Sequence, residues 1–154
     1  MKQTTFITVA VLAIGFLLYL NFAPKKEPGF TKRVIYTDKA PKPIGPYSQG
    51  IMTGNTLFVS GQIALNTAGA LDTSSIESET KQVLANINAI LDAAGMGLGD
   101  VVKTTIYLTD LSHFKAVNEY YGKWFVHHPP ARETVQVAAL PKGARIEISV
   151  IAVK

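Results

Sequence analysis

Residues 130–152 read PARETVQVAALPKGARIEISVIA, and the stretch divides into two strand-like runs, 132–138 and 145–153, joined by the turn Leu140-Pro141-Lys142-Gly143. Each run is mostly apolar and carries one conspicuous charge. Arg132 opens the first; Glu147 sits between Ile146 and Ile148 in the second. In a half-buried strand, side chains alternate between faces with a period of two. A polar residue inside such a run therefore points to a wet or functional face. A guanidinium clamps a carboxylate through two parallel hydrogen bonds, which the ammonium of lysine cannot do. A carboxylate can orient a water or take a proton from it. The same two residues also suit an ordinary cross-strand ion pair, and these residues alone leave both readings open.

Working outward, the residues before this stretch predict an α+β domain. A short strand is expected at 33–37, then an irregular loop over 39–46, where three prolines and a glycine leave few backbone donors. Strands at 48–53 and 56–62 flank Gly54-Asn55, a two-residue hairpin signal. A helix follows, with Ser74 and Glu77 as its expected capping box. Its apolar stripe is Val83, Leu84, Ile87, Ile90, Leu91 and Ala94, and Gly95 is its expected C-cap. Residues 101–108 read as a strand, and residues 112–125 as a second helix. The stripe Leu111, Phe114, Val117, Tyr121, Trp124 and Phe125 on that helix reads as core. The order β-β-β-α-β-α-β-β implies a mixed sheet with two helices on one face. Its other face, to which Val135, Val137, Ile148, Val150, Ile151 and Val153 are assigned, then needs a cover, most simply another copy of the chain.

The 154 residues are enough for one domain with its own core. The net charge of +4 is carried by the first 33 residues, where Lys2, Lys25, Lys26, Lys32 and Arg33 stand against Glu27. The remaining 11 − 1 = 10 acidic side chains balance 15 − 5 = 10 basic ones, so residues 34–154 are neutral. A neutral domain is a poor nucleic-acid binder, because affinity for a phosphate backbone comes from clustered cations. The chain has no cysteine, which excludes a disulfide framework, a thiol nucleophile and a thiolate metal site. His113, His127 and His128 lack companions with metal-ligand spacing, so no metal is expected. Residues 6–20, FITVAVLAIGFLLYL, are almost wholly apolar. They predict an N-terminal segment, 1–24, that anchors the chain in a membrane, with 25–33 as a linker. The basic residues that follow place the domain on the cytoplasmic side, the alternative being export after signal cleavage.

Several motifs share one order along residues 34–154: Pro43-Ile44-Gly45-Pro46-Tyr47-Ser48-Gln49-Gly50, Val59-Ser60-Gly61-Gln62-Ile63, Ala93-Ala94-Gly95 leading to Asp100-Val101-Val102-Lys103-Thr104-Thr105, Pro130-Ala131-Arg132, and Val137-Ala138-Ala139-Leu140-Pro141 with Ile146-Glu147-Ile148. Together they resemble the reactive-intermediate imine deaminase (RidA/YjgF-like) family. The resemblance implies a chorismate-mutase-like α+β subunit, a homotrimer with clefts between subunits, and hydrolysis of small 2-imino acids such as 2-iminobutanoate and 2-iminopropanoate to 2-keto acids and ammonia. It implies no cofactor and no metal. By the matching motifs, Arg132 would hold the substrate carboxylate and Glu147 would position the attacking water. Tyr47, Ser60, Gly61, Asn118 and Thr134 would line the pocket, Thr134 standing where many members have a cysteine. The expected alternative is a trimeric module that binds small carboxylates without turnover.

Overall fold

A computed structural model describes residues 31–154. Strands β1 (Lys32–Ile35), β2 (Gly50–Thr53) and β3 (Thr56–Gln62) precede helix α1 (Ile76–Ala93). Strand β4 (Val101–Leu108), helix α2 (Phe114–Trp124), β5 (Ala131–Gln136) and β6 (Ile146–Val153) follow. The element order and the α+β class are those read from the sequence. The six strands form one sheet in the order β1-β2-β3-β6-β4-β5. β4 and β5 run parallel, and every other neighbouring pair is antiparallel. A parallel pair needs a crossover, and α2 provides it.

The boundaries differ from expectation in ways that have local causes. β1 begins at Lys32, so the last two residues assigned to the linker are strand. The anchor segment 1–24 and the linker as far as residue 30 lie outside the described residues. Among those described, no helix is long and apolar enough to cross a membrane. Helix α1 is capped by Ser75, whose hydroxyl accepts from the Ser78 N–H at 3.1 Å, and not by Ser74. Asp72 takes Ser74 instead, accepting from its N–H at 2.9 Å and from its hydroxyl at 2.6 Å. The Ser78 hydroxyl donates to the same carboxylate. These bonds favour the ionised form and hold Asp72 down to about 2. At the other end, Gly95 adopts φ +74° just past the C-cap Ala94, as a helix-terminating glycine does.

Val83, Leu84, Ile87, Ile90 and Leu91 of α1 pack fully buried against alternate residues of the sheet. On β6 these are Ile146, Ile148, Val150 and Ala152; on β4 they include Ile106 and Leu108. This corrects the assignment of Ile148 and Val150 to the uncovered face, since strict alternation along β6 leaves Glu147, Ser149, Ile151 and Val153 to the other side. The uncovered face does carry apolar surface: Val34, Phe58, Val135 and Val153 are all exposed there.

Candidate active site

Glu147 occupies the middle of the sheet, and the strand beside it is irregular where they meet. Val59 pairs with Val150, but Gln62 pairs with Ile148. Ser60 and Gly61 therefore stand opposite the single residue Ser149, a β-bulge that turns this part of β3 toward Glu147. Gly61 is required here for close approach. A Cβ on it would lie 2.7 Å from Cδ of Glu147 and would overlap the carboxylate oxygen. The bulge is also stitched to the proline-rich loop. The Ser60 N–H donates to the Gln49 carbonyl at 3.0 Å, and its hydroxyl donates to the Ser48 carbonyl at 2.7 Å. The hydroxyl proton of Ser60 is thus committed, and only its lone pairs face a ligand.

Gln49 organises the loop that carries Tyr47. Its buried amide accepts from the Thr37 N–H at 2.7 Å and donates to the carbonyls of Thr37 and Pro41 at 3.0 and 2.9 Å. A loop with so few donors of its own has its carbonyls satisfied by that one side chain. The Tyr47 hydroxyl accepts from the Ile44 N–H at 3.2 Å, and the ring remains 46% exposed. Ile44, Tyr47, Ser60, Gly61, Ile63, Pro141 and Glu147 together line a cavity of about 240 Å³. Burial pushes the Glu147 carboxyl above its ordinary value, and among the described residues no cation offsets this. An acid held in this way exchanges protons nearer neutral pH than a free glutamate does.

Arg132 lies elsewhere. In register it pairs with Thr104, a fully buried residue facing the helices, whereas Glu147 pairs with Tyr107 on the uncovered face. The two charges project from opposite faces of one sheet. They form no ion pair with each other, and Glu133, next to Arg132, is instead bound by Lys103 and by the Thr105 hydroxyl at 2.8 Å. The Arg132 guanidinium sits 4.9 Å from the ring centre of Tyr121 and 5.9 Å from that of Phe114. It borders a second cavity, of about 430 Å³, with Asn118, Tyr121, Gly122, Phe125, Pro129 and Pro130. On this side two buried polar atoms have no partner, Oδ1 of Asn118 and Oγ1 of Thr134. Buried polar atoms are nearly always paired, so these two suit a ligand or a second chain.

Among the expected site residues, the structure thus brings Tyr47, Ser60, Gly61 and Glu147 together, and separately groups Arg132 with Asn118. Thr134 follows Arg132 one pleat along β5 on the same face. The expectation of a single pocket holding both charges is met by neither half alone. Sequence reasoning missed Phe114 and Tyr121, whose helical spacing had assigned them to the core. Phe114 is in fact 41% exposed, and Tyr121 is buried directly beneath the guanidinium. It also missed Ile44, Ile63 and Pro141 as cavity walls. Among the described residues, no three His, Asp or Glu side chains meet in a set that could hold a metal ion.

The chain is similar to several known proteins. The family described as Endoribonuclease L-PSP matches residues 37–154. A RutC family protein of Pyrococcus horikoshii is 51% identical over 124 residues, covering 80% of this chain and 98% of the relative. The human 2-iminobutanoate/2-iminopropanoate deaminase is 48% identical over 124 residues, covering 80% of this chain and 90% of that enzyme. The crystal structure of E. coli TdcF with bound serine superposes with a TM-score of 0.76 at 40% identity, covering 79% of this chain and 98% of that one. With the family match running over residues 37–154 and the fold matched alongside it, the chain is a member of the YjgF/RidA family.

Proposed function

We propose that this protein hydrolyses small 2-imino acids to 2-keto acids and ammonia, in clefts formed between the subunits of a homotrimer. The carrying observation is the division of the site. A guanidinium without a carboxylate partner opens on one side of the sheet, and a partly buried acid without a cation opens on the other. The two are complementary, and a neighbouring copy can bring them together. The exposed Val34, Phe58, Val135 and Val153 of the uncovered sheet face give such a copy apolar surface to bury. The human relative named for this activity and the relative with bound serine support the choice of substrate, an amino-acid-sized carboxylate.

The chemistry follows from the two halves. Arg132 holds the substrate carboxylate through paired hydrogen bonds, which fixes the adjacent imine carbon. The protonated imine is already electrophilic, so the protein needs to supply only a positioned water and a proton acceptor. Glu147 takes a proton as the water oxygen bonds to C2, giving a tetrahedral carbinolamine. It then returns that proton to nitrogen, the C–N bond breaks as the oxygen forms the carbonyl, and the departing ammonia takes up the hydroxyl proton, so that water and the iminium become a keto acid and an ammonium ion. Ile44, Ile63 and Pro141 give the cleft an apolar wall beside the acid. The leader would hold this domain at the cytoplasmic face of a membrane; protease protection of intact vesicles tests that placement.

The direct test mixes the full-length chain with threonine dehydratase and threonine. Release of 2-ketobutanoate faster than the uncatalysed rate is expected, and its loss in Arg132→Ala. An unchanged rate, or acceleration that survives that substitution, argues for a carboxylate-binding module without turnover.

A further inference from the structure

We propose that Tyr121 is a positioning residue: its ring is the platform that orients the Arg132 guanidinium for an incoming carboxylate. This rests on reading Arg132 as the anion anchor. Arginine has a long side chain with several free torsions, and holding it in one geometry costs rotamer entropy that a contacting partner must offset. Here no acidic side chain among the described residues pairs with it. The contacts that remain are aromatic, with the guanidinium 4.9 Å from the Tyr121 centroid and 5.9 Å from that of Phe114. Both are within the range of cation–π attraction. Such a restraint suits an anion site well. A carboxylate partner would compete with the substrate, whereas a ring face holds the cation and leaves its N–H donors free.

The platform is itself fixed on three sides. Tyr121 is almost fully buried, and its ring stacks on that of Phe125 at 4.5 Å between centroids. Its hydroxyl donates to Oγ1 of Thr104 at 3.0 Å. Thr104 is the residue that faces Arg132 in the β4–β5 register. The ring is therefore tied at its hydroxyl to the strand position beside the arginine, and it supports the arginine with its face. Phe114, one helical turn before Asn118, adds a more distant second surface.

The experiment compares Tyr121→Leu, Tyr121→Phe and Phe114→Leu in the full-length chain. It follows KM and kcat in the coupled deamination assay, serine binding by NMR titration, and the order parameter of the Arg132 Nε–H. Tyr121→Leu removes the ring, and is expected to raise KM and weaken serine binding about 3- to 10-fold with kcat within about twofold. The Arg132 Nε–H should become markedly more mobile. Tyr121→Phe keeps the ring and loses only the hydroxyl bond. It should restore most of the affinity while lowering Tm, a split that a purely structural role would not produce. Phe114 is exposed, so Phe114→Leu should fold normally and show a smaller rise of about twofold. An Arg132 Nε–H as rigid in Tyr121→Leu as in the wild type overturns the proposal, as does a Tyr121→Phe variant equal to Tyr121→Leu in affinity. If the wild type binds serine without deaminating, the proposed function fails. The mobility and affinity of Arg132 still decide this inference.

Discussion

Glu147 stands on β6, with β3 and β4 on either side of it, whereas Arg132 stands on β5 at the sheet's edge. Their surroundings differ accordingly. The acid lies against a bulge, a glycine and a loop tethered through Gln49 and Ser60, and burial disfavours its charged form. The cation is exposed, borders a larger cavity and is steadied by ring faces and not by hydrogen bonds. A group that must deliver a proton to one atom gains from a rigid, partly dry setting. A group that must capture a charged ligand from solution gains from accessibility and free donors. The contrast matches the two roles proposed for them.

The sharpest way to break this comparison is to neutralise the acid. Glu147→Gln keeps shape and removes the proton acceptor, so kcat should fall by about 10²–10⁴-fold with KM changed far less. A fall confined to KM would reverse the assignment of roles. Arg132→Ala should lower kcat/KM by about 10²-fold, the scale of losing a charged partner for a bound carboxylate, with little change in Tm because the side chain is exposed. These two inactive variants also test where the cleft is built. If the chain assembles as the proposed trimer, co-expression gives mixed trimers in which a neighbour can supply the missing group. Random assembly then restores about a quarter of the wild-type clefts. No recovery in proven mixed trimers would place both groups in one protomer's site, against their opposite orientations.

A finer test moves the acid without removing it. Gly61→Ala puts a methyl group where the Glu147 carboxylate lies, and displacement of that carboxylate should cost about 10–100-fold in kcat while carboxylate affinity holds. Equal activity would mean that the approach of Gly61 to Glu147 has no catalytic meaning. The smallest effect is on the pH profile. Burial raises the folded-state value of Glu147 above 4.5, so the native protein keeps this proton to higher pH than the unfolded chain does. Stability from this group is therefore fully present below the unfolded value and declines as pH rises through the folded one. The active carboxylate forms across that same upper range, so kcat/KM should rise with pH there. Glu147→Gln should flatten the stability slope in this window, which urea titrations at several pH values would detect.

Much of this architecture was legible in the residues. The apolar spacing of α1, the Gly54-Asn55 hairpin and Gly95 each carry a local physical instruction, and each appears where expected. Boundaries were less legible where side chains compete locally, as when Asp72 draws Ser74 away from the helix cap. β6 shows a different limit. Its residues are apolar in both phases, so composition cannot say which phase meets the helices, and Ile148 and Val150 were assigned to the wrong side. Tyr121 is core, as read from its helical spacing. Its spacing marks it as inward-facing, but only the fold shows that Arg132 comes in over its ring.

By itself the amino-acid sequence determined the element order, the neutrality of residues 34–154 beside a basic first 33 residues, and the setting of one arginine and one glutamate in apolar strand runs, because these follow from short-range pattern and side-chain chemistry. The tertiary structure decided that the two charges leave opposite faces of one sheet, that a bulge and a glycine enclose the acid, and that aromatic rings support the cation. Those facts depend on strand order and register, which are set by contacts between residues far apart along the chain.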